Sequence, residues 1–497
     1  MDMMVARYRR ARKRRTRSAG APMGNFAPIT ISDGQVSGVD SLSAAASQVV
    51  NWDIDDAGIS KPRAPLVSYS ATGTNAFSVT GLEHWNEHVV GTHADGSWWA
   101  IPDGGPTAAI AINDTSAPTQ LVGGRRPVFA LGAVDVYVTA GGQIRRWNRS
   151  RAVAELCSGS WRCSHVVAIG DRLVSNDLDD PQFFKWSAIG EGNWTSWPAD
   201  NASDPSARPD PVVAVADNMN ELWIFGSETL QCYQVGSDPL NPYDLISTAG
   251  IGLAAPYCYV KMDEQFCFLD NKMRLIISDR RSQDVISDAI KTDLRSLSTV
   301  ADGYGYRIEQ GNNSQLVFRF PTDKRTFAYN LGSSKWSEQN YYSAGFQVDY
   351  PAGAYVYWPK YNRHLVGSSL STGGLYTIGG SGGQDLGGPI LCERTTGWHD
   401  HGTKNRKRSI RVRITLRRGT AATVSQGNGS FEVRVQDDDK PWTPWKGVNI
   451  GGPSEYANVA DVFIAGVFKR RRYGFRFSTT EATSFAEASN EILELAA

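Results

Sequence analysis

The sequence predicts an all-β protein, a six- or seven-bladed β-propeller followed by a C-terminal β-sandwich, and two observations carry that expectation. Between about position 64 and position 385, an apolar run, a tight polar turn and a second apolar or aromatic run recur roughly every forty to fifty residues, the spacing of propeller blades. Beyond a Gly-rich stretch from Gly379 to Gly388, the pattern becomes a regular apolar–polar alternation, the mark of half-buried antiparallel strands.

The blade turns are Asp95-Gly96, Gly141-Gly142, Gly170-Asp171, Gly226-Ser227, Asp270-Asn271, Pro321-Thr322 with Asp323, and Gly373-Gly374. Strands are expected at Phe77 to Leu82, Val128 to Leu131, Val134 to Val138, Val166 to Ile169, Leu222 to Phe225, Phe266 to Leu269, Leu316 to Phe320 and Tyr355 to Trp358. Several of these are apolar at consecutive positions, as for strands covered on both faces by neighbouring blades. In the C-terminal part Ile410, Val412, Ile414 and Leu416 alternate with Arg411, Arg413, Thr415 and Arg417. Phe431, Val433 and Val435, and then Tyr473, Phe475 and Phe477, repeat the pattern. The partition that follows is a basic arm and linker at 1–50, a propeller at 51–385, a sandwich at 386–480 and a tail or short helix at 481–497. Within the linker the apolar stretch Phe26 to Ile31 is suited to joining a sheet as an added strand.

At 497 residues with 41% hydrophobic content the chain is long enough to bury large cores. No run of eighteen apolar residues occurs, so no membrane span is expected, and no apolar stretch follows the N-terminal basic residues as in a secretory signal. The cysteines Cys157, Cys163, Cys232, Cys258, Cys267 and Cys392 lie mostly inside apolar runs without a CxxC pair, as reduced thiols folded in a cytosol do.

Formal neutrality conceals a charge asymmetry. Residues 1–17 hold eight basic side chains, Arg7, Arg9, Arg10, Arg12, Lys13, Arg14, Arg15 and Arg17, against the single acid Asp2. An arm of charge +7 therefore precedes a body of about −7, and with so little apolar content it cannot form a core of its own. Two further clusters, Lys404 with Arg406, Lys407 and Arg408, and Lys469 with Arg470, Arg471 and Arg472, fall in the expected sandwich. Together the three suit a polyanion or an acidic protein surface. Only Tyr8 interleaves the arm, so any nucleic-acid contact is expected to be to the backbone.

Catalytic and metal constellations are not evident, and no cofactor is expected. Asp177, Asp179 and Asp180 lack the glycine and terminal glutamate of a calcium loop and read as a solvated loop. His399 and His401, two imidazoles at i and i+2, lack a nearby third ligand and read as a surface loop. Asp95-Gly96-Ser97-Trp98 is an Asp-Gly turn before an aromatic strand.

A more specific signal lies between positions 172 and 290. The run Arg172 to Pro181, Phe183-Phe184, Ser187, Arg208-Pro209-Asp210-Pro211-Val212, Glu221 to Tyr233, Gly250-Ile251-Gly252 and Val285-Ile286-Ser287 resembles the packaged-DNA stabilisation proteins of short-tailed bacteriophages. Weaker similarity covers Asn51, Gly58 and Arg63 and the region after Leu391. Gln231 stands where the family pattern has an acid, and the basic arm is an addition to it. The resemblance implies a non-enzymatic virion protein made in the host cytoplasm. Its members act as a tail hub or nozzle, a ring of six copies below the portal and adaptor that closes or extends the DNA channel, stabilises packaged DNA and holds tail fibres or spikes. From composition alone, a propeller hydrolase or lyase acting on glycans and a cytosolic propeller scaffold are the rival readings.

Overall fold

The computed structural model describes residues 25–29, 48–54, 59–71, 77–102, 110–112, 126–157, 161–205, 210–310, 313–343, 346–370, 374–379, 384–418, 430–448, 457–479 and 483–495. Antiparallel four-strand sets occupy 79–111, 128–156, 166–203, 212–249, 259–285 and 304–338. A last set combines 352–378 with the strand Leu66–Ala71. These are blades 1 to 7 below. Six of them are separate sheets, and blade 6 is one end of a ten-stranded sheet.

Local chemistry makes each hairpin. In blade 3, Gly170 and Asp171 both adopt positive φ, 61° and 57°, the two-residue geometry whose twist matches that of the flanking strands Val166–Ile169 and Arg172–Asn176. Between blades the cement is apolar, with a separate core in every interface. Trp85 and Trp98 meet Val136 and Trp147 between blades 1 and 2. Trp223 and Phe225 meet Phe266 and Phe268 between blades 4 and 5. Val79 and Trp99 meet Trp358 and Leu365 between blades 7 and 1. Because each blade has a neighbour on both sides, Val136–Thr139 and Phe266–Leu269 are buried at every position, the latter as its unbroken apolar character predicted. Gly252 permits one of the closest approaches, since a Cβ there would lie 1.9 Å from the Ser227 carbonyl oxygen.

The ring closes with strands from the two ends of the propeller sequence. Leu66–Ala71 pairs antiparallel with Gly374–Ile378 as the outer strand of blade 7.

The remaining strands form two sheets that share one core. The first runs Trp52–Ile54, Ser60–Pro62, Thr483–Glu494, Lys407–Arg418 and Ala457–Val462, with Asn25–Ile29 added to Thr483–Glu494. In the second, Lys446–Val448, Ser430–Asp437, Arg471–Thr479, Gly388–Thr395 and Gln48–Val50 continue into Lys335–Glu338 of blade 6. Trp52, Val412, Ile414, Phe431, Phe475 and Phe485 meet between them.

Three expectations are corrected here. Residues 481–497, expected as a tail or short helix, contain the strand Thr483–Glu494, hydrogen-bonded on both sides by Lys407–Arg418 and Asn25–Ile29. Asp177 is not solvated: it is 2% exposed, pairs with Lys185 at 2.6 Å and accepts the amide protons of Asp179 and Asp180. His399 and His401 are not a surface loop either. Their rings lie 5.7 Å apart against Tyr473, and burial, with His399, Lys407 and Arg471 adding to it, pushes the His401 pKa down to about 3.

Trp223 is 1% exposed with its ring 4.9 Å from that of Phe266, so Trp223→Ala is expected to cost roughly 3–5 kcal/mol. Denaturant unfolding monitored by circular dichroism measures it. An unchanged midpoint would mean that this indole does not fill the interface between blades 4 and 5.

Candidate docking surface

The residues that carried the docking expectation fall into three places. Arg7, Arg9, Arg10, Arg12, Lys13, Arg14, Arg15 and Arg17 lie outside the described residues. The second cluster begins the strand Lys407–Arg418, and the third forms the turn and first positions of Arg471–Thr479. Antiparallel pairing of Lys407 with Phe468 and of Arg408 with Val467 brings both clusters to one end of the two-sheet unit.

Two of the expected contact residues turn inward. Lys407 is fully buried, and its ammonium donates to the carbonyls of Thr403 at 2.6 Å and Asn405 at 2.8 Å. Arg471 is likewise buried, forks onto the Asp437 carboxylate at 2.5 and 2.9 Å, and lies 4.1 Å from the centre of the Phe468 ring. Both are corrections to the sequence expectation. A strand alternates its faces, so a run of four cations at its start must aim some of them into the fold, where partners have to neutralise them.

The third cluster is also largely compensated. Arg470 reaches Asp439 at 2.8 Å, and the Asp438 carboxylate accepts the amide protons of Lys469 and Arg470. The acids Asp437-Asp438-Asp439 stand opposite because Asp437 registers with Arg471 across the sheet. Lys404, Arg406, Arg408 and Lys469 remain exposed as a compact basic patch.

Beside the patch lies an alternation of guanidinium and indole groups that the sequence reading did not single out. Arg470 and Arg472 stack on Trp398 at 4.6 and 5.6 Å, and Arg472 also approaches Trp442 at 5.8 Å. Arg434 lies between Trp442 and Trp445 at 4.7 and 4.2 Å, and Arg476 covers Trp445 at 4.8 Å. Glu393 holds Arg434 at 3.1 Å and Glu432 holds Arg476 at 2.6 Å. Pro441-Trp442-Thr443-Pro444-Trp445 was the available signal, two indoles in a short segment beside two paired strands that carry Arg434, Arg472 and Arg476. The ladder borders a cleft of about 340 Å³ against blade 6, where Arg325 bridges Glu338 at 2.8 Å and Asp293 at 3.2 Å. Each cation–aromatic pair contributes about 0.5–1 kcal/mol at such half-exposed sites, so the ladder makes a stiff, charged face.

Burial pushes the Cys157, Cys163 and Cys232 thiols up to about 12, away from the nucleophilic form. Among the described residues no three His, Cys, Asp or Glu side chains gather as a metal site. Gln231 is 1% exposed, donates to the Pro205 carbonyl at 3.1 Å and accepts from the Tyr233 hydroxyl at 2.8 Å. Its amide supplies a donor that an ionised acid would lack.

Comparison with solved structures finds chains of low similarity. The computationally designed Ika8 protein is 10% identical with a TM-score of 0.41, covering 63% of this chain and 99% of that one. The WD40 β-propeller domain of Doa1 is 12% identical with a TM-score of 0.39, covering 63% and 96%. The extracellular domain of the putative one-component system BT4673 from B. thetaiotaomicron is 8% identical with a TM-score of 0.41, covering 83% and 62%. Comparison with curated protein sequences finds no match. The family model described as "Bacteriophage P22 Gp10, beta-propeller" matches residues 119–376, just over half the chain and the span of blades 2 to 7. The chain belongs to the bacteriophage P22 Gp10 β-propeller family.

Proposed function

We propose that this protein is a structural component of a short-tailed phage virion, a tail hub or nozzle that assembles as a ring, most simply of six copies, below the portal and adaptor. In that place it closes or extends the DNA channel, stabilises packaged DNA and anchors tail fibres or spikes. The observation that carries the reading is the family match over blades 2 to 7. Two features support it. Blade 6 runs through backbone hydrogen bonds into the C-terminal two-sheet unit, so the two parts are joined as a load-carrying component requires. The candidate surface is charged, with guanidinium groups stacked on indoles beside an exposed basic patch. A closed ring needs a head-to-tail interface, and a basic patch facing an acidic neighbour or DNA phosphates supplies orientation and salt-dependent attachment.

The patch assigned to docking is Lys404, Arg406, Arg408 and Lys469, together with the arm at 1–17. Lys407 and Arg471 are left unchanged in the test because they hold the fold. Full-length protein, a variant lacking 1–17, and Lys404→Ser/Arg406→Ser/Arg408→Ser are mixed with tail-less, DNA-filled particles, and attachment and DNA retention are followed across salt concentrations. Both variants are expected to fold and to attach more weakly. If the contact is to DNA backbone, loss of three cations lowers the log–log salt slope by about 2–3. Normal attachment by both variants would remove electrostatic docking, and a protein that stays monomeric on the particle would remove the ring.

A further inference from the structure

Around the propeller axis, residues from blades 1, 2, 5, 6 and 7 enclose an open cavity of about 270 Å³. One end is dominated by a cation. Arg126, just ahead of blade 2, lays its guanidinium 3.4 Å from the centre of the Tyr304 ring and donates to the Gly353 carbonyl. Among the described residues no carboxylate pairs with it. Its neighbour Arg319 adds to the positive charge, although Arg319 has Asp349 as counter-ion and also donates to the Tyr304 hydroxyl at 3.1 Å. Burial, opposed by Tyr304 and reinforced by Arg319, lowers the Arg126 pKa. A partly buried guanidinium beside a second cation, with no acid paired to it among the described residues, attracts an anion into the adjacent space.

Tyr306 also lines this cavity. Among the described residues the Tyr306 hydroxyl is buried without a hydrogen-bond partner, on a ring stacked between Tyr304 at 6.4 Å and Tyr355 at 5.9 Å. Burial raises its pKa well above the ordinary phenol value, which keeps it a neutral O–H donor. Glu83 also lines the cavity, on blade 1, where its carboxylate accepts the His84 amide proton; burial raises its pKa, with that hydrogen bond and Lys261 opposing the rise.

We propose that the axial cavity of the propeller is a binding site for a small oxyanion, held by charge-assisted hydrogen bonds from Arg126 and by the Tyr306 hydroxyl. The site is distinct from the basic patch of the C-terminal unit and independent of the docking role assigned to it. Sulfate and acetate are the probes, because neither changes charge between pH 6 and pH 8. Binding is measured by calorimetric titration at pH 6 and constant ionic strength, with chloride as the reference. At that pH Glu83 is largely neutral, since burial pushes its carboxyl up to about 7.

Saturable binding of at least one probe is expected in the full chain. Arg126→Gln should weaken it about tenfold or more, the worth of one charge-assisted hydrogen bond, and Tyr306→Phe by a few-fold with the ring stack kept. Glu83→Gln should leave it unchanged or tighten it. Near-ultraviolet circular dichroism reports whether each variant is folded, and if Arg126→Gln is not, Tyr306→Phe decides. Absence of saturable binding by the full chain, or an affinity indifferent to whichever of these two changes folds, overturns the site.

Discussion

One buried ion pair sits where the ring closure, the end of blade 6 and the entry to the C-terminal unit meet. Arg63 is 4% exposed and Asp385 2%, and the guanidinium forks onto the carboxylate while donating to the Asn340 carbonyl at 2.9 Å and the Asn51 side chain at 3.0 Å. Asp385 also accepts the Leu66 amide proton at 2.8 Å, which fixes the start of the strand that closes the propeller. Burial alone would lower the arginine pKa. The Asp385 carboxylate outweighs it, with Tyr350 adding to the effect, and the net shift is upward. A buried pair is favourable only when its remaining hydrogen-bonding capacity is met, and here backbone and amide groups meet it.

Asn51 extends the node into the C-terminal unit. It sits at φ 57°, a left-handed conformation that asparagine tolerates better than most residues, and is 1% exposed. Its side chain donates to Asn340 at 2.6 Å and to the Leu391 carbonyl at 2.9 Å, and its backbone amide donates to Glu338 at 2.8 Å. On one side Gln48–Val50 is hydrogen-bonded between blade 6 and Gly388–Thr395; on the other, Trp52–Ile54 enters the opposite sheet. A change in any of these pieces is therefore felt by the ring closure and by the surface that carries the basic patch.

The parts of the fold legible in the sequence are those whose cause is local. Gly170-Asp171 between two apolar runs favours a tight hairpin, and an unbroken apolar run such as Phe266–Leu269 already implies cover on both faces. The final strand was illegible for a physical reason. Opposite Thr415 and Leu416 the register jumps from Glu487 to Phe485, leaving Ala486 as a bulge, so the inward residues Phe485, Ala488, Asn490 and Ile492 do not keep a period of two. Among the basic clusters, net charge was legible and its compensation was not, because Asp437 meets Arg471 only through strand pairing. Asn51 and Arg63 were legible only as the ends of a polar, turn-rich entry segment and as points of family resemblance, since nothing local reveals that Arg63 has a partner more than three hundred residues away, at Asp385.

Calorimetric unfolding of Asp385→Asn beside the unchanged protein measures the coupling most directly. The central claim is that one buried node joins ring closure to the C-terminal unit. It predicts a single cooperative transition for the unchanged chain. For the variant it predicts a loss of about 3–5 kcal/mol and a separation of the two units into distinct transitions, because Arg63 is left buried without its counter-charge. A variant whose transition overlays that of the unchanged protein would contradict it.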